Sequence, residues 1–307
     1  MKKQILQRLT LVYIFGLTIS SGYSLLDTFV FKVGGTSGSN ILTSSSVDQS
    51  FDSIGTSVVP TFTEFGYIDS NITFEIDVIR RYETQVYVGV LTTQNHRFIK
   101  SAFGFDTYGK NYKEKTSVIA NRKNAIFAIN GDYYGFRDIG FVVRNGIVYR
   151  IAPRPQEYDD AIVLKDNGEM ATFPEVETNL QSLNQMQPWQ VWSFGPVLMN
   201  GGNVVVTPTT KVPYELSSNP RTAIGQISQH QFMFVVSDGR TDESAGLSVY
   251  ELASIFFEYG ATFAYNLDGG GSATMWFNGR IINKPVNSGS TISERSISDI
   301  VYIGYEL

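Results

Sequence analysis

Phe232-Met-Phe-Val-Val-Ser-Asp-Gly-Arg240 and, further on, Phe263-Ala-Tyr-Asn-Leu-Asp-Gly-Gly-Gly-Ser272 form the stretch whose reading decides the fold. The first segment is a short apolar run ending in a glycine-containing turn, as a buried strand does. Ser248 stands three residues before Glu251, a capping box that satisfies free N–H groups at a helix start. Leu252, Ile255, Phe256 and Tyr259 follow at helical spacing, and Gly260 supplies the stop. Thr262 to Leu267 is a second apolar run and reads as the next strand. Strand, helix and strand in this order predict a βαβ unit with two parallel strands ending on one side of the sheet. Asp238 closes the first strand and Asp268 the second, so both carboxylates are expected at one edge, where open α/β sheets bind ligands. The Gly269-Gly270-Gly271-Ser272 turn has no β-carbon before Ser272, which leaves its N–H groups free to cradle an anion. Either Asp-Gly pair alone is an ordinary tight turn. Two of them, joined by a capped helix and with Arg240 nearby, point to a site for a negatively charged substrate.

The 307 residues allow one large domain or two small ones. A net charge of −5 without any Lys/Arg block excludes the electrostatic footprint of a nucleic-acid binder. Without cysteine there is no disulfide, no thiol nucleophile and no Cys-based zinc site. His96 and His230 are far apart, so zinc is disfavoured and no cofactor is expected. Calcium or magnesium on acidic glycine turns is the minority alternative, although no EF-hand spacing occurs.

Lys2, Lys3 and Arg8 precede an uncharged run from Leu9 to Leu26. That run is near the lower length limit of a membrane span, and the basic flank places the N-terminus in the cytoplasm. Residues 1–31 therefore read as an uncleaved signal anchor. The rivals are a cleaved signal peptide, for which Ser20-Ser-Gly22 is a poor cleavage site, and a buried core helix. Residues 32–54, rich in Gly, Ser and Thr, read as a flexible tether, and residues 55–307 as one extracellular domain on a single-pass membrane protein.

Within that domain Ile72–Ile79, Tyr87–Leu91, Ala125–Ile129, Ala161–Leu164 and the C-terminal run from Ile300 have strand character. Ser117–Lys123 and Thr178–Met186 are short helix candidates. Arg144-Asn-Gly146 lies between two β-rich runs as a hairpin turn. Asn130-Gly-Asp132 ends another strand, and alone would be an Asx turn. The fold class expected is α/β, or α+β-like: a mixed sheet, a few covering helices and a βαβ unit carrying the site.

Taken in order, these segments resemble the phosphodiester glycosidase family. The matching motifs are Asn130-Gly-Asp-Tyr-Tyr, Ser193-Phe-Gly-Pro, Asn219-Pro-Arg-Thr-Ala-Ile-Gly, Asp238-Gly-Arg with Ser244 and Gly246, and Glu251-Leu-Ala. They continue with Asn266-Leu-Asp-Gly-Gly-Gly-Ser272, Thr274-Met275 and Glu294-Arg295, and span most of residues 120–305. Ala273 stands where the family commonly has a second serine, and Ser298-Asp299 replaces a more usual Asn-Ala. The resemblance implies hydrolysis of a sugar-1-phosphodiester at the glycosidic bond, giving a free sugar and a phosphomonoester.

The residue types suit that chemistry. One phosphate charge matches a planar guanidinium, from Arg221, Arg240 or Arg295, with the amides of Gly269, Gly270, Gly271 and Ser272 as a second cradle. Glycosidic cleavage generally employs carboxylates near the anomeric carbon. Asp268 is expected as the principal one and Asp238 as its partner, with Glu294 as an alternative acid. Asn130, Asp132, Asn266, Ser244, Ser272 and Thr274 are expected to position sugar and phosphate. A cysteine-free exported protein suits a bacterial surface, where glycan-phosphate polymers are substrates to consider. Two rival readings are a non-catalytic glycopolymer-binding module and a transferase or phosphodiesterase that breaks the P–O bond.

Overall fold

The structure is a computed structural model that describes residues 39–40, 59–155, 160–210, 218–289 and 291–306. The expected anchor and nearly all of the tether lie outside the described residues. The exception is Ser39–Asn40, which pairs antiparallel with Val148 and Ile147. Among the described residues no helix is long and apolar enough to cross a membrane.

The strand around Phe232 is the middle of a nine-stranded sheet. From one edge its order is Asn203–Val204, Val197–Asn200, Phe263–Asn266, Thr222–Ser228, Gln231–Ser237, Thr84–Thr93, Ile72–Arg81, Gly66–Ile68 and Thr61–Phe62. Alternation of side chains along Gln231–Ser237 sends Met233 and Val235 to one face and Phe232, Phe234 and Val236 to the other. Both faces are covered, which is why the segment reads as an unbroken apolar run. The first face meets the Val249–Glu258 helix through Leu252, Ala253 and Phe256. As expected, Ser248 and Glu251 form a reciprocal capping box at that helix start. The helix can lie close because Gly225 leaves room: a β-carbon there would sit 2.7 Å from the Phe256 ring.

The opposite face packs on a five-stranded sheet ordered Arg280–Ile281, Met275–Phe277, Phe127–Asn130, Asp299–Ile303 and Ile99–Phe103. Phe74, Phe127 and Phe234 join the two, with ring centroids 4.4 and 5.2 Å apart. The Thr116–Arg122 helix covers the far side of this sheet through Ile119 and Ala120. A six-stranded sheet, Ser39–Asn40, Ile147–Arg150, Val142–Arg144, Pro188–Trp192, Asp160–Lys165 and Met170–Pro174, adds Ile162, Leu164, Trp189 and Trp192 to the same core. The Leu180–Gln185 helix packs on the other face of that sheet, where Leu183 joins Phe141, Val163 and Val191.

The expectation of an α/β fold with a βαβ unit needs correction, because the fold is mostly β. Every pairing of the Gln231–Ser237 and Phe263–Asn266 strands is antiparallel, and Thr222–Ser228 lies between them. Two antiparallel steps leave the outer pair pointing the same way without hydrogen bonds to each other. A strand that inserts from earlier in the chain leaves no mark on the local pattern of the helix crossover. The consequence for the site is the expected one, because both strands end on one side.

Candidate active site

The three strand ends meet around Pro220. Ser237 donates to the Arg221 carbonyl (2.9 Å), Leu267 to the Thr222 carbonyl (2.8 Å) and Gly270 to the Pro220 carbonyl (2.8 Å). Asp238-Gly239 and Asp268-Gly269 thus flank one residue. Both glycines lie against it: a β-carbon at either would come within 2.8 Å of Pro220 backbone atoms. The following turn, Gly270–Ser272, is a single 3-10 turn that opens on Gly270 in the left-handed region (φ 57°).

Two guanidiniums lie over this turn. A β-carbon at Gly270 would be 2.7 Å from Arg240 Nη2, and one at Gly271 would be 2.5 Å from Arg295 Nη2. Arg240 is aimed by Asn219, whose Oδ1 accepts from its Nε at 2.8 Å, and Arg295 by Asn287 in the same way at 2.8 Å. Arg240 itself has a left-handed backbone (φ 61°), uncommon for a non-glycine residue. Asp268, 7% exposed, begins the turn. The arrangement is an acidic residue at the start of a glycine turn that two tethered cations overlie, suited to a substrate with an anionic group next to the reacting bond.

Asn130 holds these pieces together. Its Nδ2 donates to the Asp268 carbonyl at 2.6 Å, and its Oδ1 accepts from Thr222 Oγ1 (2.7 Å) and the Thr274 N–H (3.2 Å). With its amide engaged by protein on both ends, Asn130 positions Asp268 and Thr274 and not a ligand directly. Asn266 Oδ1 and Thr274 Oγ1 are buried with no hydrogen-bond partner, although Asn266 Nδ2 donates to the Gly195 carbonyl at 2.8 Å. Buried polar atoms are rarely left unmatched, so these two oxygens are uncommon features of the core. Ser272 is buried in the glycine turn next to them.

The structure adds a buried ionic triad that sequence reasoning missed. Arg144, 1% exposed, donates from Nε to Asp299 Oδ2 at 2.8 Å and lies 3.0 Å from Asp132 Oδ2 through Nη2. Its Nη1 donates to the Val191 carbonyl, and the guanidinium rests against the Tyr134 and Trp192 rings. Asp132 also accepts from the N–H groups of Tyr134 (3.0 Å) and Ser193 (3.2 Å), so it braces the site from behind. Asp299 is fully buried beside Gly131, and its Oδ1 has no hydrogen-bond partner.

Burial, with the Asp132 and Asp268 carboxylates adding to it and Arg144 opposing it, pushes the Asp299 carboxyl up to about 7. Unfolding returns the group to its ordinary 3.8. Between those values the fold retains a proton that the unfolded chain has released, so stability falls as pH rises from about 4 to about 7. Melting temperatures across this window should decline less steeply in Asp299→Asn, the isostere of the protonated form. Equal slopes in both proteins would show that Asp299 is ionised throughout.

The remaining expected residues each have protein partners. Asp238 is 2% exposed, and its oxygens accept from the Lys284 N–H (2.7 Å) and Tyr87 Oη (3.3 Å). Burial raises its pKa, and those hydrogen bonds oppose the rise. These neighbours hold the Asp238 carboxylate at the end of its strand. Glu294 accepts from the Ser117 N–H (3.0 Å) and Oγ (2.6 Å), capping the Thr116–Arg122 helix. Arg221 is 2% exposed and donates to the Leu247 carbonyl at 2.9 Å. Ser244 accepts from the Gln85 N–H at 3.1 Å. Among the described residues no three His, Cys, Asp or Glu side chains are grouped to hold a metal ion.

Comparisons agree with this frame. A sequence model of the phosphodiester glycosidase family matches residues 123–304. The SPbeta prophage-derived uncharacterized protein YomE of Bacillus subtilis (strain 168) is 28% identical over 209 residues, 64% of this chain and 31% of that protein. Human N-acetylglucosamine-1-phosphodiester alpha-N-acetylglucosaminidase is 40% identical over 65 residues, 21% of this chain and 12% of that enzyme. The chain thus spans a third or less of the length of these relatives. Among solved structures, the zebrafish N-acetylglucosamine-1-phosphodiester alpha-N-acetylglucosaminidase catalytic domain, auto-inhibited by its pro-peptide, superposes with a TM-score of 0.59 at 19% identity. That match covers 76% of this chain and 83% of the other, and shows a shared fold.

Proposed function

Because the chain belongs to the phosphodiester glycosidase family, we propose that it hydrolyses the glycosidic bond of a sugar-1-phosphodiester, releasing a free sugar and a phosphomonoester. The observation that carries this reading is Asp268 at the head of a glycine turn overlaid by the Arg240 and Arg295 guanidiniums. A phosphodiester carries one negative charge, which either guanidinium can bind in bidentate fashion. With the phosphate held there, Asp268 faces the anomeric carbon, where positive charge develops as the bond to the phosphate oxygen breaks. The phosphodiester is already a fair leaving group, so the demand for a strong general acid is small. Asn266 and Thr274 offer unmatched oxygens to sugar hydroxyls. Asp299 lies close enough to Asp268 for the two carboxylates to repel each other. The natural substrate in this proposal is an extracellular glycan phosphate, met by a domain that residues 1–31 hold at the cell membrane.

Gly271→Ala tests the phosphate cradle. The new methyl meets the Arg295 guanidinium first, since the three nearest atoms, at 2.5, 2.7 and 2.9 Å, all belong to it. KM for a sugar-1-phosphodiester should rise about tenfold, the loss of one charge-assisted hydrogen bond worth ~1.5 kcal/mol, while the melting temperature holds. An unchanged KM would remove Arg295 from substrate binding. Turnover with and without EDTA shows in the same assay whether a cation takes part.

A further inference from the structure

Beside the acidic centre, the turn after the Phe127–Asn130 strand carries an aromatic wall with no part in bond cleavage. Tyr133 and Phe136 stack with centroids 4.7 Å apart and planes 21° from parallel, and each is 38% exposed. Phe194 stands edge-on to Tyr133 at 6.5 Å. Scattered exposed aromatics are normal on any surface, whereas three in one cluster beside a candidate site form a recognition patch.

The cluster is electropositive at its rim. The Arg137 guanidinium lies 5.9 Å over the Phe194 ring, and its Nε and Nη2 are buried with no hydrogen-bond partner. Burial lowers its pKa; Asp132 opposes that shift, while Arg154 and Arg150 add to it. Lys113 Nζ sits 5.7 Å over the Phe136 ring. A desolvated guanidinium without acceptors is costly, and an anionic ligand group is the species that relieves it.

The wall reaches the reacting centre through two links. Asp132, next to Tyr133, accepts from the N–H of Ser193, next to Phe194. Gly195 exchanges hydrogen bonds with Asn266, two residues before Asp268: its N–H donates to the Asn266 carbonyl at 3.1 Å, and Asn266 Nδ2 donates back at 2.8 Å.

We propose that Tyr133, Phe136, Phe194 and Arg137 form a subsite for an anionic pyranose next to the scissile bond, so that the preferred substrate is a charged glycan chain. A pyranose presents an apolar C–H face that matches an aromatic ring, and its carboxylate or phosphate substituent matches the Arg137 fork. The inference rests on the proposed glycosidase activity only for which bond is cut; binding to the wall stands apart from it.

Two measurements on the whole chain separate the two. Calorimetry titrates the protein with a hexuronate oligosaccharide, a hexose-phosphate oligomer and a neutral oligosaccharide of equal length. Arg137→Gln should weaken the acidic ligands by about tenfold and spare the neutral one, and Tyr133→Ala should weaken all three. The tighter of the two acidic probes identifies carboxylate or phosphate as the natural charge. In parallel, turnover of a small sugar-1-phosphodiester should be unchanged in both variants. Failure of the parent to bind either acidic oligomer, or equal binding by Arg137→Gln, overturns the subsite. Binding that depends on Arg137, in a protein that does not turn over the small phosphodiester, upholds the subsite and overturns the hydrolytic reading.

Discussion

Asp268→Asn should lower turnover of a sugar-1-phosphodiester by about 10²–10⁴-fold, the range for losing a positioned carboxyl group. The melting temperature should change little, because the Asp268 backbone carbonyl stays held by Asn130 Nδ2 at 2.6 Å. Asparagine keeps that carbonyl and nearly the same side-chain shape while removing the negative charge. The pair of readouts is what makes the variant informative. Lost activity with an intact melting curve assigns the charge of Asp268 to chemistry, whereas near-normal turnover takes Asp268 out of the mechanism.

Arg144→Met should be the most destabilising single change near the site. Methionine fills much of the space between Tyr134 and Trp192 but leaves the Asp132 and Asp299 carboxylates buried without their cation. Breaking a buried ion pair by removing one partner costs about 3–5 kcal/mol, which for a domain of this size lowers the melting temperature by roughly 10 °C. Asp299→Asn should be far milder, since it leaves Arg144 paired with Asp132. Urea melts of the two variants against the parent measure the difference. Equal, small losses would mean that the triad contributes little to stability.

What could be read from the sequence was local. The Ser248–Glu251 capping box and the apolar positions at Leu252, Ile255 and Phe256 specify the helix by themselves, and it forms as expected. The convergence of Asp238-Gly239 and Asp268-Gly269 was legible because each closes a strand with a turn signal. The neighbour between them was not, since the pairing of Thr222–Ser228 depends on residues distant in the chain. The same limit hid the ionic triad. Arg144 reads as the start of a hairpin turn, and the hairpin does form, with Ile147 opposite Arg144. Its burial against Asp299 comes from two other strands. Asp299 stood out only as a departure from the family's usual alanine, and Gly131 accommodates its carboxylate. Glu294, expected as an alternative acid, accepts from the N–H of Ser117, a partner distant in the chain that the local sequence does not announce. The wall of Tyr133, Phe136 and Phe194 joins motifs that were singled out for their polar residues, and its rings meet only in the fold.

The account turns on which bond is broken, and hydrolysis in ¹⁸O-labelled water reads that directly. A sugar-1-phosphodiester is turned over by the protein, and the products are weighed by mass spectrometry at short times, before the free sugar exchanges its anomeric oxygen. The account predicts the label on C1 of the released sugar and none in the phosphomonoester. Label in the phosphate, with the sugar released as its 1-phosphate or without label, would place the cut at the P–O bond and contradict the glycosidase assignment.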